Sequence, residues 1–130
     1  MAALLLDTTV LIDALRGRPA ASRLRSLRVA RDLLYVCAVN IEEVTRGIRS
    51  SEQSAASRLF DGMRLAPLGR VEGERAGNWR RTHAARGVTL AQADCLVAAA
   101  AVAVNARLAT GNPKDFPMPE LSVEFWPPGA

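Results

Sequence analysis

At 130 residues, 49% of them hydrophobic and 23% charged, the chain has the make-up of one compact domain, 1–130, that buries roughly two thirds of its unfolded surface; this excludes a disordered polymer and a fold dependent on covalent staples. The apolar opening has no basic segment before it and meets Asp7 at once, and "CLVAAAAVAV" is too short to cross a bilayer, so a soluble, cytoplasmic protein with no membrane association is expected. The net charge of +4 comes from arginine, Lys114 being the one lysine, and a small basic domain of this kind leans toward nucleic acid or an acidic partner.

Ala2 to Leu6 is a short, wholly apolar run that ends at a turn signal, as in a strand covered on both faces. Helical spacing follows in "TVLIDALRG", closed by Gly17 and Pro19, so strand, tight turn and helix open a βαβ unit. "AASRLRSLRVARDLL" reads as an amphipathic helix with Ala20, Leu24, Leu27 and Arg31 at helical intervals. "LYVCAV" is a second strand, after which Asn40 offers an N-cap with Glu43 three residues on, opening the helix "IEEVTRGI". Ser51 to Met63 and Val71 to Arg86 read as two polar-faced helices separated by "APLG". Thr89 and Gln92 form a capping box for "LAQADCLVAAAAVAV", which is apolar nearly all round and belongs deep in the fold. "ARLAT" is a third strand broken by "GNP", and "LSVEFW" a fourth, edge-like one. Cys37 and Cys95 have no metal-type spacing and read as buried thiols. Strands alternating with helices predict an α/β sandwich with a mainly parallel sheet, in which ligands gather at the carboxyl ends of the strands.

The acids carry the chemistry. Asp7, at such a strand end, either caps the following helix or points into a cleft, and taken alone both readings stand. Glu42 and Glu43 lie similarly far from the apolar stripe of Ile41, Val44 and Ile48, so periodicity does not choose between them. Gly47, one turn beyond Glu43, leaves room beside that carboxylate and tips the choice toward it. Asp94 sits inside an apolar helix, where a carboxylate is costly to bury unless an arginine pairs with it or a metal binds it. Thr110, Asn112 and Asp115 in "LATGNPKDF" are each ordinary turn residues.

Their convergence is the signal. Carboxylates brought together raise one another's pKa unless a cation sits among them. Oxygen ligands without a histidine or cysteine cluster suit Mg²⁺ or Mn²⁺ rather than zinc. One or two such ions, about 3.5 to 4 Å apart when paired, generate hydroxide and stabilise in-line displacement at a phosphodiester. Arg46 and Arg49, on the helix of Glu43, are candidate phosphate contacts. In "NWRRTHAAR" Trp79 is expected in the core, and His83 has no acid or nucleophile at a telling spacing.

These residues resemble the VapC type of PIN domain. "LLLDTTVLID" is similar to the family's opening motif, "EVTRG" to its helix acid with the following glycine, "ADCLVAAAA" to its central aspartate motif, and "LATGNPKDF" to its closing one, in the family's order and across nearly the whole chain. The resemblance implies a three-layer, PIN-like sandwich with Asp7, Glu43 and Asp94 as metal-binding acids. It places Asn112 at a fourth position that is often aspartate, with Asp115 as a source of the missing charge and Thr8 and Thr110 as supporting neighbours. It further implies Mg²⁺- or Mn²⁺-dependent cleavage of cellular RNA such as tRNA or rRNA, translation arrest, a homodimer, and a VapB-type antitoxin partner. Two rivals are a non-catalytic RNA- or antitoxin-binding PIN module, which Asn112 favours, and a haloacid-dehalogenase-type phosphotransferase, which Thr9 disfavours because that family places a second aspartate there.

Overall fold

The computed structural model describes residues 2–129. The elements are β1 (Ala3–Leu6), α1 (Thr8–Leu15), α2 (Pro19–Val29), β2 (Leu33–Val36), α3 (Ala38–Gly47), α4 (Gln53–Asp61), β3 (Arg64–Leu65), α5 (Arg70–Ala84), α6 (Gln92–Ala103), β4 (Arg107–Thr110) and β5 (Val123–Phe125), with short 3-10 turns at Ser50–Glu52 and Pro113–Asp115. The strands form one sheet in the order β3-β2-β1-β4-β5, every pair parallel. The chain steps outward from β1 to β3, then returns to the other side of β1 for β4 and β5. That reversal leaves a crevice beyond the carboxyl ends of β1 and β4, the usual ligand position in an open parallel sheet.

Three layers follow from the side-chain alternation of the strands. Leu5 faces the layer of α5 and α6, packing with Cys95, Val97, Ala98 and Leu108. Leu4 and Leu6 face the opposite layer, with Val10 and Leu11 of α1, Leu24 of α2 and Val44 of α3. All three leucines of β1 are buried, and burying each contributes about 1.5–3 kcal/mol. In α6, Ala98 to Ala101 are buried without a break, so the all-round apolar helix sits deep, as its sequence requires. Cys37 and Cys95 are free, buried thiols, and Trp79 is buried, its indole N–H donating to Glu120.

The structure corrects several sequence readings. Asn40 is not the N-cap of α3: β2 ends at Val36, Cys37 caps the helix, and Asn40 is its third residue. Thr89 and Gln92 form no capping box, because α6 begins at Gln92 behind Ala91 with no side-chain cap. Arg31 lies past the end of α2, exposed and at φ 62, where the left-handed backbone has already broken the helical stripe. The sheet has a strand the sequence did not reveal, β3, only two exposed residues long, which pairs with Tyr35 and Val36. The last described residues fold back over α1. Trp126 is buried beneath the Arg23 guanidinium, 4.0 Å from its ring centre, and the Gly129 N–H donates to Asp13 at 2.8 Å.

Leu5 sits where β1 meets the α6 layer. Leu5→Ala is expected to lower unfolding free energy by about 2–5 kcal/mol in a urea titration; a loss under 1 kcal/mol would show that this layer is loosely packed.

Candidate active site

The cleft at the β1–β4 crevice, about 330 Å3, is lined by Asp7, Thr8, Thr9, Ile12, Glu43, Arg46, Gly47, Asp94, Asn112, Asp115 and Phe116. Asp7 follows β1 directly and serves both of the roles open to it in the sequence. Its Oδ1 accepts from the Thr8 N–H at 2.8 Å, capping α1, while its Oδ2 accepts from the buried Thr110 hydroxyl at 2.7 Å. The Asp7 N–H donates to the Ala109 carbonyl at 2.9 Å, so the same residue stitches β1 to β4. Burial raises its pKa more than these hydrogen bonds lower it, and Glu43 and Asp115 push it further upward.

Glu43 comes from the second turn of α3 and accepts the Thr8 hydroxyl at 2.7 Å. Its neighbour Glu42 turns outward and meets Arg46 at 4.0 Å with both side chains largely exposed, a pair worth little. Gly47 lines the cleft and has nothing within 4 Å of where a Cβ would lie, consistent with open room beside Glu43. Asp94, in the first turn of α6, is half-buried, and none of the ion pairs among the described residues involves it. The arginine partner that would have made it structural is not there. Burial, then Asp115, Asp7 and Glu43, push its pKa up to about 6.

Asn112 and Asp115 come from the loop after β4. Thr110 is the hinge of that loop, donating to Asp7 while its oxygen accepts from the Asn112 N–H at 3.1 Å. Asp115 is exposed at the rim. Arg46 also lines the cleft, whereas Arg49 does not: α3 ends at Gly47, Ile48 is extended, and Arg49 starts the next turn by donating its N–H to Glu52 at 2.8 Å. The sequence reading missed Ile12 and Phe116 as cleft walls and Asn40 beneath the floor, where its amide donates to the Thr8 hydroxyl oxygen at 3.3 Å.

A larger cavity, about 660 Å3, opens on α5 beside Trp79 and His83. Its acids Glu74 and Glu120 face Arg70 and Arg75, so its charges are balanced and it has no comparable concentration of acids. In the cleft the donors are oxygen atoms throughout, which fits a hard divalent cation. Among the described residues no three acidic side chains are gathered closely enough to form a metal site by themselves; Mg²⁺ commonly takes only one or two carboxylates directly and keeps several waters.

This three-layer fold with acids at the switch point is that of the PIN domain, whose family model matches residues 4–117. The chain belongs to the PIN-domain family and, within it, to the VapC group. Over 127 residues it is 33% identical to ribonuclease VapC19 of Mycobacterium tuberculosis, covering 93% of this chain and 98% of that protein. It is also 33% identical to ribonuclease VapC10 of the same organism, covering 97% and 96%. Among solved structures it is similar to a chain of VapBC2 from Rickettsia felis bound to a promoter DNA fragment, with a TM-score of 0.83 and 21% identity over 95% of this chain and 98% of that one. It is similar too to a chain of DNA-bound VapBC from Salmonella typhimurium, with a TM-score of 0.82 and 17% identity over 97% and 99%. At those identities the structures establish the shared fold.

The raised pKa of Asp94 has a definite sign in stability. The folded state keeps its proton to about pH 6 while the unfolded chain releases it near 3.8, so this group favours folding at low pH and that contribution is lost as pH rises through 6. Without added metal, Asp94→Asn is expected to raise stability at pH 7 by about 1 kcal/mol, discounted for solvent access, and to change it little at pH 4. Urea unfolding at the two pH values measures this, and a destabilised Asn variant at pH 7 would contradict it.

Proposed function

We propose that this protein is the metal-dependent endoribonuclease toxin of a toxin–antitoxin pair. The observation that carries the reading is Asp94, a half-buried carboxylate with no arginine partner among the described residues, facing Asp7, Glu43 and Asp115 across one cleft. At neutral pH a bound cation would relieve that arrangement, and ribonuclease VapC relatives at one third identity support the substrate class.

In this reading Asp7, Glu43 and Asp94 hold Mg²⁺ or Mn²⁺. Asn112 adds a neutral carbonyl oxygen and Asp115 the charge that Asn112 lacks. The ion, when bound, activates water and stabilises charge on the phosphate. Thr110 and the Thr8 N–H fix the two oxygens of Asp7, and the Thr8 hydroxyl fixes Glu43. Arg46 at the rim, only loosely tied to Glu42, is free to turn toward a phosphate; Arg49 lies outside the cleft lining. The oxygen of one water joins phosphorus, the P–O3′ bond breaks and O3′ takes up a proton, leaving a 3′ hydroxyl and a 5′ phosphate. The targets are structured cellular RNAs such as tRNA or rRNA, and the outcome is arrested translation. The VapBC character of the structural neighbours supports a VapB-type antitoxin as the partner that silences a homodimeric toxin. No helix among the described residues is long and apolar enough to cross a membrane, and a cytoplasmic site of action goes with these RNA targets.

The test is cleavage of total bacterial RNA by antitoxin-free protein with Mg²⁺, with Mn²⁺ and with EDTA. Cleavage in either metal, abolished by EDTA and reduced about 100-fold or more by Asp7→Asn or Asp94→Asn, is expected, equivalent to roughly 3 kcal/mol of lost transition-state stabilisation. Cleavage that survives EDTA, or products ending in 2′,3′-cyclic phosphate, would overturn the mechanism. A folded wild type that cuts nothing would favour a binding module.

A further inference from the structure

Asn40 has no exposed surface, and its amide is held at both ends. Its Oδ1 accepts from the Cys37 N–H at 3.2 Å and from the Cys37 thiol at 3.1 Å, while its Nδ2 donates to the Thr8 hydroxyl oxygen at 3.3 Å. A backbone N–H can only donate, so the oxygen of the Asn40 amide must face Cys37 and its NH2 must face Thr8. The Thr8 hydroxyl, already accepting from Asn40, has one proton to give, and that proton points at Glu43 Oε1, 2.7 Å away. The direction of each bond in the series is thereby set by the backbone at the start of α3. With the amide reversed, two donors would face each other at Cys37, and the carbonyl would draw the Thr8 proton away from Glu43.

We infer that Asn40 is a positioning residue for the cleft: through Thr8 it holds Glu43 in a charge-assisted hydrogen bond and so fixes the place of that carboxylate. The inference rests on the reading of Glu43 as an ion-holding acid. Asn40 does not line the cleft, and its side-chain hydrogen bond to a cleft residue is the one to Thr8. A simple helix-capping role would be satisfied by the Cys37 bond alone and gives no role to the Nδ2 donor.

Asn40→Asp separates the two roles. It is the same size and keeps the acceptor for the Cys37 N–H, but as a carboxylate, at a pH where it is ionised, it has no proton to donate, so the Thr8 proton turns toward it and Glu43 is released. An added carboxylate would, by charge alone, strengthen a nearby cation site; loss of the relay weakens it. Titrating Mn²⁺ alone into the purified protein by calorimetry, we expect Asn40→Asp and Thr8→Val each to lower affinity about tenfold, the range for outer partners of metal ligands. The double variant is expected to be no worse than Thr8→Val. Equal or higher affinity in Asn40→Asp, or additive losses, would overturn the relay. If Asn40→Asp does not fold, Thr8→Val at its half-buried position carries the test: its Mn²⁺ affinity should fall about tenfold and the Asn40 side-chain amide signal should shift in a ¹⁵N NMR spectrum, and no change in either would overturn the proposal. If the wild type takes up no Mn²⁺, the ion-holding reading fails by itself, and the relay is decided by that amide signal, which must move in Thr8→Val for it to stand.

Discussion

Like charges crowded into one partly buried cleft are the constraint on which the rest of this structure depends. Burial, together with the charges of Glu43 and Asp115, raises the cost of ionising Asp7 and Asp94, most visibly at Asp94, whose pKa is lifted to about 6. The chain is rich in arginine, yet the close ion pairs lie elsewhere: Arg16 with Glu52, Arg18 with Asp13, Arg23 and Arg107 with Glu124. A protein that wanted only stability would bring one of these to Asp94 or replace the acid with an apolar residue. The cleft supports its acids with hydroxyls and N–H groups instead, which orient carboxylates without neutralising them. That leaves the negative charge available to a cation and, through the cation, to a phosphodiester.

The fold delivers this crowding by topology. β1 is central, buried on both faces, and ends just before Asp7; β4 lies beside it and ends at Thr110; the chain's reversal between them opens the crevice. Helices starting just past β1 and β2, namely α1 and α3, or packed across the ends, α6, present their first two turns to the same place. Asp7 shows how tightly structure and site are joined, since it caps α1, bonds to β4 and lines the cleft at once. Asn40 extends the same economy one layer down, using the backbone of the β2–α3 junction to aim a hydroxyl.

How much of this was legible in the sequence depends on how long each signal runs. The unbroken apolar run of β1 and the all-round apolar α6 declared a doubly covered strand and a deep helix, and an acid inside each context was conspicuous because burial without a partner is costly. Glu43, Asn112 and Asp115 joined Asp7 and Asp94 only through their convergence near the strand ends and through the family resemblance, and the structure places all five on one cleft. Short-range signals misled. Asn40 looks like a cap because Asn with Glu three residues on is a capping pattern, but the strand before it is too short to reach that far, and the helix starts at Ala38. Arg49 belongs to the helix of Glu43 only if α3 continues past Gly47, and the extended backbone at Ile48 ends it. β3, two exposed residues wide, has no periodicity from which to be read.

The central claim is that the cleft is built to be discharged by a divalent cation. Its most direct measurement is the calorimetric titration of Mg²⁺ into RNA-free protein at pH 5 and pH 7.5, in buffers of different ionisation enthalpy that count released protons. Binding should tighten as pH rises through about 6, with protons released on binding at pH 5 and few at pH 7.5. Binding that is absent at both pH values, or equally strong at both with no proton release, would contradict it.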